Sequence, residues 1–153
     1  MTDIFISHAH EDAAIAQGFF KHLTAAGLNV FLDTGGLAPG AQWSPKLREE
    51  LKTAHTVLVL ASQKAAQSAM VNQELGGAVL NGKKVIPVVW DMDPGQLPGW
   101  LREYQALVLR GNDAQRIRAS VEQFIQQLVR EKKIRQVTVI ALLGLAAIAL
   151  FAK

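Results

Sequence analysis

Hydrophobic and polar positions follow two different periods along this chain. Short apolar runs, typical of strands inside a sheet, occur at residues 3–7, 29–33, 55–62, 84–91 and 104–111. Between these runs, apolar residues recur every three or four positions, which is the spacing of amphipathic helices. The alternation predicts an α/β fold in which right-handed crossovers build a five-stranded parallel sheet with helices on both faces.

Four segments carry the spacing of a helix with one apolar face. The first ends at Gly27, and the third, which begins at residue 67 and carries Glu74, ends at Gly82. The second opens with Ser44 as N-cap and Pro45 at the first helical position. The residues predicted to face the core are Ile15, Phe19 and Leu23 in the first helix; Leu47, Leu51 and Ala54 in the second; Val71, Leu75, Ala78 and Val79 in the third; and Ile117, Val121, Phe124, Ile125 and Leu128 in the last, from Asp113 to Lys133.

The predicted sheet gathers polar residues at one edge. The first three strands are followed by Ser7, Asp33 and Ser62. In parallel sheets ligands bind outside the carboxyl ends of the strands, so these side chains surround a candidate binding cleft. The helix with Glu74 leaves from the same edge. Spacing alone leaves two orientations for this carboxylate, toward solvent or toward the cleft, and His8 and His10 are expected in an exposed loop.

Composition narrows the classes of function. The 153 residues suffice for one domain with a core, and the absence of cysteine excludes disulfides, thiolate zinc sites and a cysteine nucleophile. Four histidines include a single close pair without a third ligand nearby, so no metal site is predicted. Residues 1–109 hold eight Lys/Arg against ten Asp/Glu, whereas residues 110–135 hold seven against three. Because the excess of basic over acidic residues is confined to this one segment, nucleic acid is not an expected partner.

The end of the sequence is apolar enough to suggest a membrane anchor. Residues 137–152 contain no charge, and Thr138 is their one polar side chain. As a helix they span about 24 Å, which neighbouring residues extend toward the roughly 30 Å of a bilayer core. We therefore predict a domain at 1–133 followed by a transmembrane helix at 134–153. The alternative is a buried helix or an oligomer contact in a soluble protein.

The orientation of this anchor follows from the flanking charges. Arg130, Lys132, Lys133 and Arg135 precede the apolar residues, and the first residues of the chain show no signal-peptide pattern. Basic residues next to a membrane span favour the cytoplasmic side. The expected arrangement is a single-pass C-terminal anchor with a cytoplasmic domain.

Two other nucleotide-binding or signalling architectures fit the sequence poorly. The stretch GGLAPG has glycines at 35, 36 and 40, but Leu37 stands where a dinucleotide-binding fingerprint needs its second glycine. The stretch also follows the second strand, not the first. A response-regulator receiver would need acidic residues after the first strand, where this chain has Ser7 and His8.

An ordered set of motifs resembles the TIR (Toll/interleukin-1 receptor) domain, particularly its bacterial branch. The set consists of DIFISHAHED, VFLDTGGLAPGAQW, VLVLAS and VNQELGGAVLNGKKVIPVVWD, and the resemblance covers roughly residues 1–130. It implies a flavodoxin-like five-stranded parallel sheet. It also implies that the loop after the second strand is an assembly loop, whose key residues are Gly36, Leu37, Pro39 and Gly40.

The resemblance implies an activity as well. Enzymatic members cleave NAD⁺ between nicotinamide and ribose with a glutamate that corresponds to Glu74, whereas adaptor members only assemble. Enzymatic members often carry Trp four positions before that glutamate, where this chain has Met70. Further residues weighed for substrate binding are Ser7, Phe31, Asp33, Trp43 and Ser62. All of these except Trp43 also have a structural alternative: turn formation for the two serines, a brace for the loop at Asp33, and a core position for Phe31.

The chemistry of NAD⁺ cleavage suits a single carboxylate. Nicotinamide leaves as a neutral group and a ribosyl cation develops, so one glutamate suffices without metal, cofactor or second acid. We therefore predict a membrane-anchored NAD⁺ hydrolase that becomes active when it self-assembles and that serves an immune or anti-phage defence. A partner TIR domain or sensor protein is a further expected partner. The alternatives are a non-catalytic adaptor at the membrane and an enzyme that releases a cyclic ADP-ribose.

Overall fold

Five parallel strands form one sheet in the computed structural model of the chain, which describes residues 1–33, 44–71, 82–111 and 113–151. The strands are β1 (Ile4–Ser7), β2 (Val30–Leu32), β3 (Thr56–Leu60), β4 (Lys84–Val89) and β5 (Leu107–Val108). Their order across the sheet is β2-β1-β3-β4-β5. Every neighbouring pair is parallel, so the predicted five-stranded flavodoxin-like sheet is confirmed.

Helices connect the strands and lie on both faces of the sheet. In the described ranges they are α1 (Ala13–Ala25), α2 (Pro45–Thr53), α3 (Gln63–Val71) and α4 (Ala114–Phe151), with short 3-10 turns at His10–Asp12, Pro94–Gln96 and Leu101–Glu103. The predicted start of α2 is confirmed, because the Leu47 amide donates to Ser44 Oγ at 3.1 Å and Pro45 follows the cap. Gly27 follows α1 with a φ of +87°, a left-handed conformation that favours glycine.

The core divides into two layers because successive strand residues point to opposite faces. Ile4 and Ile6 of β1 face α1 and α4, while Phe5 between them faces α2. β3 follows the same rule, and all five of its residues are buried, as expected for a central parallel strand. The buried helix residues are Ala16, Phe19 and Leu23 of α1; Phe124, Ile125 and Leu128 of α4; and Leu47 and Leu51 of α2.

Pro87 lies inside β4, although proline normally weakens a central strand. The Val88 carbonyl accepts a bond from the Ala61 amide on the β3 side. Because the backbone polar groups of successive strand residues face opposite sides, the backbone nitrogen of Pro87 faces the β5 side. Pairing with β5 begins only at Val88. The missing N–H of Pro87 therefore falls where no partner strand is in place, and the strand remains intact.

Three details of the predicted helices and strands differ from the structure. Ile15 is exposed, because the buried face of α1 is centred on Ala16 and Leu23 and Ile15 lies about 100° around the helix from Ala16. α3 begins at Gln63, earlier than the predicted position 67, and β5 keeps only two of the eight predicted residues. Short edge strands of this kind limit pairing with other chains.

The last helix continues through the predicted boundary at residues 133 and 134. α4 contains 38 residues without interruption from Ala114 to Phe151. Its first half packs on the sheet, with Ile117 and Val121 half-buried on the predicted face. The domain and the predicted transmembrane segment therefore share one continuous helix.

Candidate active site

The carboxyl ends of the first three strands bring predicted site residues together. Ser7 ends β1 next to Val59 of β3 and is half-buried. Asp33, also half-buried, follows Leu32, which pairs with Ile6 of β1. Ser62 follows β3 after one residue and is almost fully buried. The shared register thus places all three at one edge of the sheet, called the carboxyl edge below.

The Ser62 hydroxyl forms two hydrogen bonds within the protein. It donates to Oδ2 of Asp12 at 2.6 Å and accepts from the Ala65 amide at 3.0 Å. The second bond caps the N-terminus of α3, and the first links that terminus to the turn before α1. Ser62 therefore positions α3 at the carboxyl edge, while its predicted contact with ribose stays a prediction.

Asp12 is a buried carboxylate that the sequence reading missed. Its residue is 9% exposed, and its partner Ser62 lies 50 positions later in the chain. The available signal was its position directly before α1, since carboxylates are favoured at helix N-termini. The pairing with Ser62 depends on the crossover between β1 and β3, which residue spacing does not display.

His8 is buried at the carboxyl edge, so the expectation of an exposed loop was wrong. The residue is 5% exposed, and its Nδ1 atom has no hydrogen-bond partner among the described residues. Burial lowers the pKa of His8, although the negative charges of Asp33 and Asp12 oppose this shift. A neutral imidazole with an unused ring nitrogen therefore lies beside the end of β1.

The start of α3 is also attached to the end of β4. The Gln63 amide donates to the Asp91 carboxylate at 3.1 Å, and the Gln63 side chain donates to the Asp91 carbonyl at 2.9 Å. Asp93, two residues further, forms an ion pair with Arg110. The loops that follow β3, β4 and β5 are thus connected around the carboxyl edge.

Phe31 contributes to the core beneath this edge. Its ring stacks on that of Phe5 with centroids 5.4 Å apart and an angle of 18° between the planes. Phe31 is half-buried and packs against the layer that faces α2. The structure therefore places Phe31 at a core position, and contact with a nucleotide stays a prediction.

Several predicted site residues lie outside the described residues. They are Glu74 and the loop residues Gly36, Leu37, Pro39, Gly40 and Trp43. Met70 belongs to α3, whose described part ends at Val71, three positions before Glu74. Within the described ranges, no group of three His, Asp or Glu side chains is placed to hold a metal ion.

The far end of α4 is apolar and uncovered. Residues 137–151, called the apolar segment below, contain large side chains exposed on all sides of the helix, among them Val137, Ile140, Leu143, Leu145 and Ile148. α4 is long and apolar enough to cross a membrane by length and composition, and none of its most apolar stretch is buried in the protein.

Ion pairs hold α4 to the opposite edge of the sheet, where the strands begin. Lys132 Nζ and Arg135 Nη2 contact the two carboxylate oxygens of Asp3 at 2.8 and 2.9 Å. Lys132 Nζ also donates to the Gly27 carbonyl at 2.9 Å, and Glu131 pairs with Lys84 at 2.6 Å. We call this group the amino-edge clamp.

The clamp changes the ionisation of its acids. Burial by itself raises the pKa of Asp3, but hydrogen bonds from Lys132 and the Asn29 amide, with the charges of Lys132 and Arg135, hold it below the ordinary value. The pKa of Glu131 is likewise lowered, because bonds from Lys84 and Gln127 outweigh burial. Both acids are therefore stabilised as carboxylates by their partners in the clamp.

Comparisons with known proteins agree with this architecture. In sequence, the chain is 26% identical over 97 residues to a protein of Brachypodium distachyon described as a probable 2′ cyclic ADP-D-ribose synthase. The match covers 62% of this chain and 43% of that protein, so this chain spans less than half of the relative's length.

Solved structures share the fold at low sequence identity. The TIR domains of the activated Roq1 resistosome superpose with a TM-score of 0.66 at 18% identity, covering 84% of this chain and 99% of theirs. The TIR domain of the Toll-related receptor TRR-2 from Hydra magnipapillata gives 0.64 at 17%, covering 85% and 99%. A prokaryotic SEFIR domain gives 0.59 at 21%, covering 84% and 92%.

The family model for the TIR domain matches residues 4–129, which include all five strands and the packed half of α4. The strand order, the helices on both faces and the two solved TIR domains agree with this match. The chain therefore belongs to the TIR domain family.

Proposed function

We propose that this protein cleaves NAD⁺ at the bond between nicotinamide and ribose, with Glu74 as the catalytic carboxylate. The observation that carries the proposal is the TIR family match, together with a relative described as a synthase of a cyclic ADP-ribose. Such a product is an ADP-ribose without nicotinamide, so its synthesis from NAD⁺ breaks the same bond.

The proposed reaction needs little from the protein besides one charge. The bond between the nicotinamide nitrogen and C1 of the ribose breaks, and its electron pair remains on nicotinamide, which leaves as a neutral molecule. The ribose is left as an oxocarbenium-like cation. A Glu74 carboxylate beside the ring stabilises that cation and orients the attacking hydroxyl, whose proton is lost to solvent.

The described residues support this site by holding its framework. Ser62 and Asp12 fix the start of α3 beside the end of β1, and Asp91 fixes it to the end of β4. Ser7 and Asp33 are half-buried at the same edge, where their oxygens suit hydrogen bonds to ribose hydroxyls. We propose these two as substrate contacts, with Trp43 and Met70 contributing apolar surface.

The attacking hydroxyl decides the product. If water attacks C1, the product is ADP-ribose and the enzyme is a hydrolase. If a hydroxyl of the same molecule attacks, the product is a cyclic ADP-ribose, which is the product class in the relative's description. Both routes share the cation and the glutamate, so we propose NAD⁺ cleavage first and treat the product as a separate measurement.

We further propose that the apolar segment anchors the protein in a membrane and that activity requires self-assembly. Its uncovered apolar surface is suited to lipid and would be costly in water. Arg130 and Lys133 are exposed next to it and favour a cytoplasmic domain. The proposed biological role is an immune-like or anti-phage defence.

The second candidate function is a non-catalytic adaptor that recruits other TIR domains at the membrane. Met70 favours it, because the enzymatic relatives often have Trp at this position. A methionine side chain is more flexible than an indole ring and offers a less rigid surface for stacking. The Met70→Trp variant separates the two functions, since an enzyme should retain or increase NAD⁺ cleavage whereas an adaptor should show none in either form.

The decisive experiment measures nicotinamide release and separates the nucleotide products by chromatography, with the full chain reconstituted in vesicles. Glu74→Gln should reduce cleavage by about 10²-fold or more, because the amide keeps the shape but removes the charge. Glu122→Gln, an exposed glutamate of α4, is the matched control and should cleave like the wild type. Equal cleavage by Glu74→Gln and the wild type would assign catalysis to another residue, and no cleavage by wild type would favour the adaptor.

A further inference from the structure

The course of α4 connects the apolar segment to one particular edge of the domain. The helix begins at Ala114, after β5 has ended at the carboxyl edge. It then crosses the sheet face and reaches Asp3 and Gly27, which lie just before β1 and just after α1. The apolar segment therefore projects from the amino edge, on the side opposite to the candidate active site.

The junction between the packed and the exposed halves of α4 is held on several sides. Lys132 and Arg135 occupy both oxygens of the Asp3 carboxylate, which is 11% exposed, and Glu131 holds Lys84 at the start of β4. Sharp helix kinks usually occur at proline, glycine or bulges. Residues 114–143 contain neither proline nor glycine. The helix therefore continues from the part fixed to the sheet into the apolar segment without interruption, and no kink-forming residue occurs before Gly144.

We infer that the amino edge of the sheet faces the membrane and that the carboxyl edge, with the candidate active site, points away from it. The 22 residues from Ala114 to Arg135 span about 33 Å, which sets the approximate height of that edge above the bilayer surface. The inference rests on the anchoring part of the proposed function. It does not depend on whether the domain cleaves NAD⁺.

The surface chemistry of the amino edge fits lipid headgroups. Lys52 at the end of α2 and Lys133 in α4 are exposed there, while the acids Asp3 and Glu131 are already paired with cations. Exposed lysines near a bilayer are attracted to anionic lipid by about 1 kcal/mol each. The acids Glu49 and Glu50 also lie at this edge, near Thr2. The edge still presents net positive charge toward the proposed membrane, because among the described residues its six cations outnumber its four acids; the cations are Lys52, Lys83, Lys84, Lys132, Lys133 and Arg135, and the acids are Asp3, Glu49, Glu50 and Glu131.

The orientation has a consequence for assembly. Asp33 and Ser44 flank the predicted assembly loop, and both lie at ends of elements on the carboxyl edge. All copies in one membrane would hold the carboxyl edge at the same height, which favours lateral contact between copies at that edge. NAD⁺ would enter from the aqueous phase without passing the lipid surface.

A pair of single-cysteine variants tests the orientation, because the chain has no cysteine of its own. Ala14 and Ala25 are both exposed alanines of α1, near the carboxyl edge and the amino edge respectively, about 16 Å apart along the helix. Ala14→Cys and Ala25→Cys are labelled with the same fluorophore in the full chain. Each is reconstituted in vesicles whose lipid headgroups carry a nitroxide quencher, and flotation reports vesicle binding in parallel.

The two readouts separate the possible failures. We expect both variants to float with vesicles and the label at position 25 to be quenched several-fold more strongly than the label at position 14. Equal or reversed quenching in floating protein would overturn the orientation and leave the anchor intact. Protein that stays out of the vesicle fraction would overturn the anchor together with the orientation, whereas NAD⁺ cleavage is measured independently.

Insertions at the end of the clamp test whether the rigid helix sets the orientation. Four alanines inserted between Gln136 and Val137 continue the helix and should preserve the difference between the two labels. Four residues of glycine and serine at the same place interrupt it and should make the two labels alike. A difference that survives the glycine insertion would overturn the role of the helix.

Discussion

The polar side chains at the two edges of the sheet differ in how they are paired within the protein. At the amino edge, the acids Asp3 and Glu131 are joined by cations of α4 and β4 at 2.6 to 2.9 Å. At the carboxyl edge, Asp12 and Ser62 pair with each other, but one nitrogen of the His8 ring has no partner in the part of the chain that the structure describes, and Ser7 and Asp33 are partly open to solvent. The ion pairs of the amino edge attach α4 to the sheet, whereas the carboxyl edge keeps polar groups that can bind a ligand.

This contrast separates structural polar residues from candidate functional ones. A polar side chain whose donors and acceptors are occupied within the protein contributes to stability, as Ser62 does. A group at the end of a parallel strand that keeps an unused donor or acceptor is available to a ligand. By this criterion, His8 is a better candidate for substrate contact than Ser62.

The largest predicted effect concerns self-assembly, in which a neighbouring molecule of this protein is expected to complete the active site at the carboxyl edge. A protein ending at Gln136 keeps the clamp but lacks the apolar segment, and we expect it to be nearly inactive in dilute solution. Clustering it on vesicles through an added tag should raise NAD⁺ cleavage by about 10²-fold, because tethering raises the effective concentration. Equal rates in the dilute and clustered states would show that assembly is not the switch.

Variants of the assembly loop sharpen this prediction. Gly40→Arg and Pro39→Ala should abolish the activity gained on clustering and leave the thermal melting temperature of the dilute domain nearly unchanged. Gly95→Arg is a matched control, since Gly95 lies in an exposed turn after β4 with open space around it. Loss of activity in the control as well would mean that bulk at this edge, not the loop contact, is responsible.

The next effect is a difference in stability between two serine caps. Ser44 and Ser62 both accept a bond from the amide three residues later, but only Ser62 also binds a buried carboxylate. Ser44→Ala should cost about 1 kcal/mol. Ser62→Ala should cost about 2–4 kcal/mol, because the loss of the cap adds to an unsatisfied Asp12 oxygen. Urea unfolding measures both, and equal costs would contradict a structural role for the pair.

A smaller effect is expected from the amino-edge clamp. Asp3→Asn removes the charge that Lys132 and Arg135 share, and we expect a loss of about 1.5–3 kcal/mol at neutral pH, the range for hydrogen bonds to charged groups. The folded pKa of Asp3 is lowered, so its contribution is present above the ordinary value of 3.8 and disappears as the pH falls through the lowered value. Urea unfolding between pH 7 and pH 3 should therefore show a weaker acid dependence in Asp3→Asn. An unchanged pH dependence would contradict the clamp.

The sequence was sufficient for most of the fold. The five parallel strands and the cap at Ser44 could be predicted, because they depend on local spacing and on connection rules that hold for all α/β proteins. Ile15 was misplaced because a three- or four-residue spacing defines a face only to within about one residue, or 100° of rotation.

Sequence patterns were less informative about the site. Ser7, Asp33 and Ser62 could be placed at one edge from strand order, but their hydrogen bonds could not. His8 was expected in an exposed loop because a polar residue after a strand is usually solvated, whereas the chain here covers it. The clamp on Asp3 joins residues more than 120 positions apart, and spacing carries no signal for such pairs.

The smallest predicted effect compares one histidine at each edge. Burial lowers the pKa of both His8 and His55, and the positive charge of Arg135 adds to the effect at His55. The unfolded chain therefore binds protons at these positions as the pH falls below about 6.5, whereas the two imidazoles of the folded protein become protonated only at a lower pH. Stability should decline from that pH downward until each imidazole is also protonated in the folded state.

Replacing each histidine by glutamine tests this comparison. His8→Gln and His55→Gln should each flatten the dependence of unfolding free energy on pH between 7 and 5, measured in urea. The effect should be larger for His8, which is 5% exposed, than for the half-buried His55. A larger effect for His55 than for His8 would mean that the negative charges of Asp33 and Asp12 cancel the effect of burial on the pKa of His8. His8 would then be readily protonated there, and any role in binding NAD⁺ would carry a positive charge.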